Sequence, residues 1–210
     1  MACKESAIVV DGDAGSARIA AFQRDRRELV RRGLAFGGAV VAASSIPLLA
    51  SVRNAFAAGE DDSSILAEAI RLERIAVLVY DRAIESGLLS TRVERVAKLF
   101  SDNEREHAGA LTAALADLGA QPPAQPTVKD IDSVVGGIGD VSSQADVLRF
   151  AIEFEMAVVA AYHDAQQKLS DAELLQLGAS IMANQGQHLV VLRQALKQPP
   201  VPNAFETGEN

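Results

Sequence analysis

Along residues 63–197, apolar side chains recur in steps of three and four, the period of a helix that buries one stripe. No stretch sustains the strict alternation of a strand. The punctuation between stripes predicts four helices. The first covers about 64–86 and stops at Gly87; the second covers about 92–118 and stops at Gly119. The third runs from Ser143-x-x-Asp146 to about residue 169. The fourth runs from Ser170-x-x-Glu173 to about residue 197, ahead of Pro199-Pro200. Thr91-x-x-Glu94 reads as a capping box for the second helix.

The joints at 87–91 and near 170 are short, so helices 1/2 and 3/4 are expected as antiparallel hairpins. Residues 119–142, with three prolines and a cluster of glycines, form a long connection between them. The fold class expected is all-α: an antiparallel four-helix bundle of two hairpins with a long crossover between helices 2 and 3. Residues 199–210 read as an irregular polar tail.

The stripes hold residues that an apolar core does not explain. Glu73 and Tyr80 fall in the first, Glu104 and His107 in the second, Glu155 and Tyr162 in the third, Gln185 and His188 in the fourth. No Lys or Arg lies in any of them. An unpaired buried carboxylate costs several kcal/mol or takes up a proton, and converging carboxylates raise one another's pKa. A bound cation resolves both problems, because the same oxygens become ligands. Three-residue spacing puts Glu104 and His107 on one helix face, about one turn apart.

The pattern occurs twice. Asn103-Glu104-x-x-His107 is echoed by Asn184-Gln185-x-x-His188, and Glu73-x6-Tyr80 by Glu155-x6-Tyr162. Both motifs keep their order at nearly one offset, which reads as duplication of a helical hairpin and predicts approximate two-fold symmetry. The second copy has Gln185 where the first has Glu104.

Two Glu, a Glu-x-x-His and a Gln-x-x-His on four facing helices resemble the di-iron/di-manganese carboxylate site of the ferritin-like superfamily. The resemblance covers about 63–197 and is strongest to its exported, twin-arginine-leader branch. It implies Glu73 and Glu155 as the single carboxylates of helices 1 and 3, and Glu104 as a bridging carboxylate. It implies His107 and His188 as the caps of two metals, and Gln185 at the second bridging position. There the chain departs from the pattern, because an amide carbonyl is a weak, neutral ligand. One ion, a lopsided pair or a degenerate site all stay open. Fe and Mn suit the donors, and Zn also fits. The activity implied is oxidation of Fe(II) by dioxygen or peroxide, as a ferroxidase or peroxide scavenger. The alternative is a non-catalytic structural or stress-related module. Tyr80 and Tyr162 are expected to hydrogen-bond ligand carboxylates. Asn103 and Asn184 are candidates for an interhelical pair. His163, Glu106 and Glu153 are expected at the surface, and Met156 and Met182 in packing.

Residues 1–57 read as an address. Asp25-Arg26-Arg27-Glu28-Leu29-Val30-Arg31 resembles a twin-arginine export signal, with Arg31-Arg32 a second candidate pair. An apolar run over about 33–50 follows, then Ala55-Phe56-Ala57, a small-x-small cleavage pattern. The expectation is a cleaved leader and a product in the cell envelope, periplasm or outside the cell. An uncleaved leader would instead anchor the chain to a membrane. Residues 58–210 carry 12 basic against 23 acidic residues, a net of −11, which argues against a nucleic-acid partner. The only cysteine, Cys3, lies in the leader, so disulfides and thiolate ligands are not expected beyond it. About 150 residues suffice for one core. Metal ions, and through them oxygen or peroxide, are the expected partners, and a homo-oligomer is compatible with this reading.

Overall fold

The computed structural model describes residues 61–127, 130 and 141–208. The leader, its cleavage motif and much of the crossover lie outside these residues. The described chain forms four helices: α1 Asp62–Glu85, α2 Thr91–Asp117, α3 Gln144–Ala165 and α4 Ala172–Ala195. Among the described residues there is no strand, and no helix is long and apolar enough to cross a membrane. Helices α1 and α2 pack closely, as do α3 and α4, the hairpin pairing that the short joints predict.

Helix ends depart from expectation where an alternative hydrogen bond is better placed. At α1, Asp61 caps the helix and forms a reciprocal capping box with Ser64. At α2 the cap position is Ser90, not Thr91, and no side chain caps it; separately, the Ser90 backbone N–H donates to Gln144 Oε1 at the start of α3. At α4, Asp171 is the cap, accepting from the N–H groups of Glu173 and Leu174. Ser170 donates to Asp62 through both its N–H and its hydroxyl, which ties the α3–α4 joint to the first turn of α1. Ser143 caps α3 as expected. That helix ends at Ala165, four residues early, because 166–169 close as turns on the last carbonyls. Gly119 ends α2 with φ +75°, and the Ala120 N–H returns to the Leu115 carbonyl, a terminus that favours glycine.

The predicted stripes face inward. Phe100, Leu111 and Leu115 of α2 and Leu174, Ile181 and Leu192 of α4 are buried, whereas Leu118, placed at the end of the α2 stripe, is exposed beyond the last turn. Helix α3 differs from its neighbours. Phe154, Glu155 and every residue from Ala157 to Tyr162 are buried, so it is enclosed on all sides rather than on one stripe.

Part of that enclosure comes from the tail. The tail is irregular, as expected, but anchored. Arg193 is buried on α4 and donates to Glu206 at 2.7 Å. Gly208 lies against the α3 backbone with φ +69°; a Cβ there would sit 2.0 Å from the Met156 carbonyl oxygen. Only glycine fits this approach. Gly208→Val is expected to release the tail and lower stability by about 1–3 kcal/mol. A thermal melt paired with proteolysis after Arg193 checks this; an unchanged melt with a protected tail would contradict it.

Candidate metal centre

Four helices deliver eight polar side chains to the middle of the bundle. Glu73, Glu104, Glu155 and Gln185 are fully buried, and His188 is 1 % exposed. The His107 ring is 14 % exposed and is the least buried of the set.

The groups fall into two sets that share one member. Glu73, Glu104 and His107 offer ligand atoms within 4.8 Å of one another, and so do Glu104, Glu155 and His188. His107 Nδ1 lies 3.0 Å from Glu104 Oε2 and 3.4 Å from Glu73 Oε2. His188 Nδ1 lies 3.1 Å from Glu155 Oε1 and 3.2 Å from Glu104 Oε1. The two oxygens of Glu104 therefore face the two histidines. Gln185 Nε2 donates to Glu104 Oε2 at 3.0 Å and to Glu73 Oε2 at 3.4 Å.

The tyrosines cross between hairpins. Tyr80 of α1 donates to Glu155 of α3, and Tyr162 of α3 donates to Glu73 of α1. Burial, then the nearby carboxylate charges, push both phenols well up, so each hydroxyl keeps its proton and acts as a donor. Phe100 stacks on the His188 ring at 3.8 Å between centroids and meets Tyr80 edge-on at 5.7 Å. Phe100 belongs to the predicted α2 stripe, but its role as a lid on His188 was not legible from spacing. Asn103 Nδ2 reaches Asn184 Oδ1 at 3.4 Å and His188 Nε2 at 3.1 Å. A protonated ring and a metal-ligating ring both carry hydrogen on Nε2. Either state takes the Asn103 amide with Oδ1 toward the ring.

Protons balance the charge of this core in the metal-free chain. Burial first, then the Glu104 charge, push Glu73 well above the usual carboxylate range. Burial also raises Glu155. Burial opposes charge on Glu104 too, but hydrogen bonds with Glu73, His107 and His188 outweigh it and hold Glu104 far down. Burial likewise disfavours charge on the imidazoles, yet Glu104 with Glu73 lifts His107 to about 10, and Glu104 with Glu155 lifts His188 to about 9. The histidines are the basic partners that Lys and Arg do not supply.

A folded pKa raised above the unfolded imidazole value of about 6.5 stabilises fully below that pH. The stabilisation fades as pH rises through about 9 and 10. Chelator-treated protein is thus expected to melt at a lower temperature at pH 10 than at pH 6.5. The drop should be smaller in His107→Gln; equal drops in the two proteins would count against this assignment.

The donor set fits a cation. Glu155 Oε2 and Gln185 Oε1 are buried without a hydrogen-bond partner, an uncommon state for oxygens in a packed core, and Glu104 Oε1 has the His188 ring beside it. Mixed carboxylate and imidazole donors suit Fe, Mn or Zn. His163 lies outside the centre, at the surface, with its ring 3.9 Å from Asp164. Glu106 is exposed, whereas Glu153, expected to be solvated, is half-buried, and that burial raises its pKa. Met156 and Met182 pack against the core as expected.

No curated protein matches the chain. The model of the ferritin-like domain matches residues 61–198, which span all four helices and every residue of the buried centre. The fold, and a match over more than half of the chain, establish that this protein belongs to the ferritin-like domain family.

Proposed function

We propose that the chain is an exported metal-binding protein that holds one or two Fe or Mn ions. The ligands are Glu73, Glu104 and His107 on one side and Glu104, Glu155 and His188 on the other, with the Gln185 carbonyl beside them. The observation that carries this reading is the sharing of Glu104 between two carboxylate–imidazole sets. With iron as the metal, the chemistry supplied is ferroxidase-type electron transfer from Fe(II) to dioxygen or peroxide. The chain's own residues position and seal. Tyr80 and Tyr162 fix one oxygen each of Glu155 and Glu73, so that the other oxygen of each would be oriented to ligate a metal ion. Phe100 closes the His188 side, so His107 marks the more open approach. Metal uptake displaces the protons held on the imidazoles, and affinity rises with pH.

Elemental analysis of exported protein, purified without added metal, tests this proposal. Near-stoichiometric Fe or Mn, lost in His107→Ala, is the expected result. No metal, even after reconstitution with Fe(II) or Mn(II), would overturn it. Sequencing the N-terminus of the same sample tests export with cleavage after Ala57.

One observation favours a second reading, a ferritin-like scaffold without turnover. The Gln185 amide donates to both Glu73 and Glu104, which partly satisfies the core with no ion present. Bound metal with no consumption of oxygen or peroxide would select that reading.

A further inference from the structure

A second feature lies beyond Tyr80, toward the end of the bundle where α1 meets α2. There all four helices and the α1–α2 joint enclose a cavity of about 390 Å³, within the roughly 300–1,000 Å³ of small-molecule sites. Its wall includes Val93, Leu148 and Leu192, and the space exists because Ala83, Ala97 and Ala151 stand where larger residues would fill it. No Asp or Glu lines it. Its charged lining residues are Arg92 and Lys197, both exposed and neither in an ion pair with any described residue.

Lys197 carries a second signal. It has φ +58°, the left-handed conformation that follows α4, with the Gln198 N–H returned to the Arg193 carbonyl. Glycine is the usual occupant of such a position, and a lysine there bears strain. The strained residue is one of the two cationic residues that line the cavity.

We propose that this cavity binds a single-chain anionic amphiphile, its apolar chain among the alanines and its carboxylate at Arg92 and Lys197. Apolar walls recognise the chain, and Arg92 and Lys197, in no ion pair with any described residue, recognise the head, within a stretch, residues 58–210, whose net charge is −11 with both of them counted. The inner end of the chain rests near Tyr80, whose hydroxyl donates to Glu155. The binding requires no metal and is independent of the reading above.

Calorimetry of the purified chain with decanoate, below its micelle concentration, tests the proposal, with decanol and decyltrimethylammonium as controls. Decanoate is expected to bind one per chain and more tightly than either control. Arg92→Ala combined with Lys197→Gly should weaken decanoate about tenfold or more while leaving decanol unchanged. Lys197→Gly relieves the left-handed strain, so a thermal midpoint at or above that of the parent shows that the loss is not unfolding. Ala83→Phe should fill the cavity and abolish decanoate binding with the melt preserved. Three results would overturn the proposal: no decanoate binding, as when a crossover segment or a second copy fills the cavity; equal affinity for decyltrimethylammonium; or full binding in Ala83→Phe.

Discussion

Glu104→Ala is expected to empty both halves of the buried centre, whereas Glu73→Ala and Glu155→Ala each empty one. The difference follows from geometry. Glu104 turns one oxygen to His107 and the other to His188, while Glu73 neighbours only His107 and Glu155 only His188. Loss of a residue that merely orients a ligand already costs about 10–100-fold in metal affinity, so loss of a shared ligand should cost at least about 100-fold. The metal-free protein suffers as well, because the carboxylate that stays charged is the counter-ion for two buried imidazoles. Leaving buried charge unpaired costs about 3–5 kcal/mol. Metal content and a chelated thermal melt check the two arms. Retention of half the parent's metal in Glu104→Ala would contradict the shared-ligand geometry.

Gln185→Glu is expected to move the two states of the protein in opposite directions. In the metal-free core it replaces a donor to Glu73 and Glu104 with a fourth buried carboxylate. The imidazoles already serve three, and another buried acid must hold a proton or cost several kcal/mol. With metal present, the same change exchanges a weak neutral ligand for a charged one. Affinity should rise about tenfold or more, by the roughly 1.4 kcal/mol or more that such a change represents. The gap between loaded and chelated melting temperatures should therefore widen. A gap equal to that of the parent would mean that position 185 does not face the ion.

How much of this was legible in the sequence depended on whether the signal was periodic. The helices and the inward direction of Glu73, Glu104, Glu155, Gln185 and His188 follow from three-and-four spacing, and all five are buried. Helix caps were less legible. Ser170 carries a suitable side chain, but Asp62, distant in sequence, takes its hydroxyl; Thr91 falls inside α2, one residue past the cap position at Ser90. Phe100 looked like any core aromatic, because stacking on His188 depends on the rotation of α2 against α4. The tail looked merely polar: its anchors, Gly208 and the Arg193–Glu206 pair, have no period to betray them. The apolar cavity was hidden for a related reason, since alanines fill a stripe as well as leucines do until the packing is seen.

The crossed tyrosines carry a consequence for assembly. Each hairpin supplies the hydroxyl that steadies the other's carboxylate, Tyr80 for Glu155 and Tyr162 for Glu73. Neither hairpin alone completes a set of ligands with its orienting partner. The centre is thus a property of docking rather than of either half, and two separately made hairpins would have to find each other before an ion could stay. A metal signal from a mixture of the two fragments, absent from each alone, would turn the buried carboxylates into a reporter of tertiary assembly.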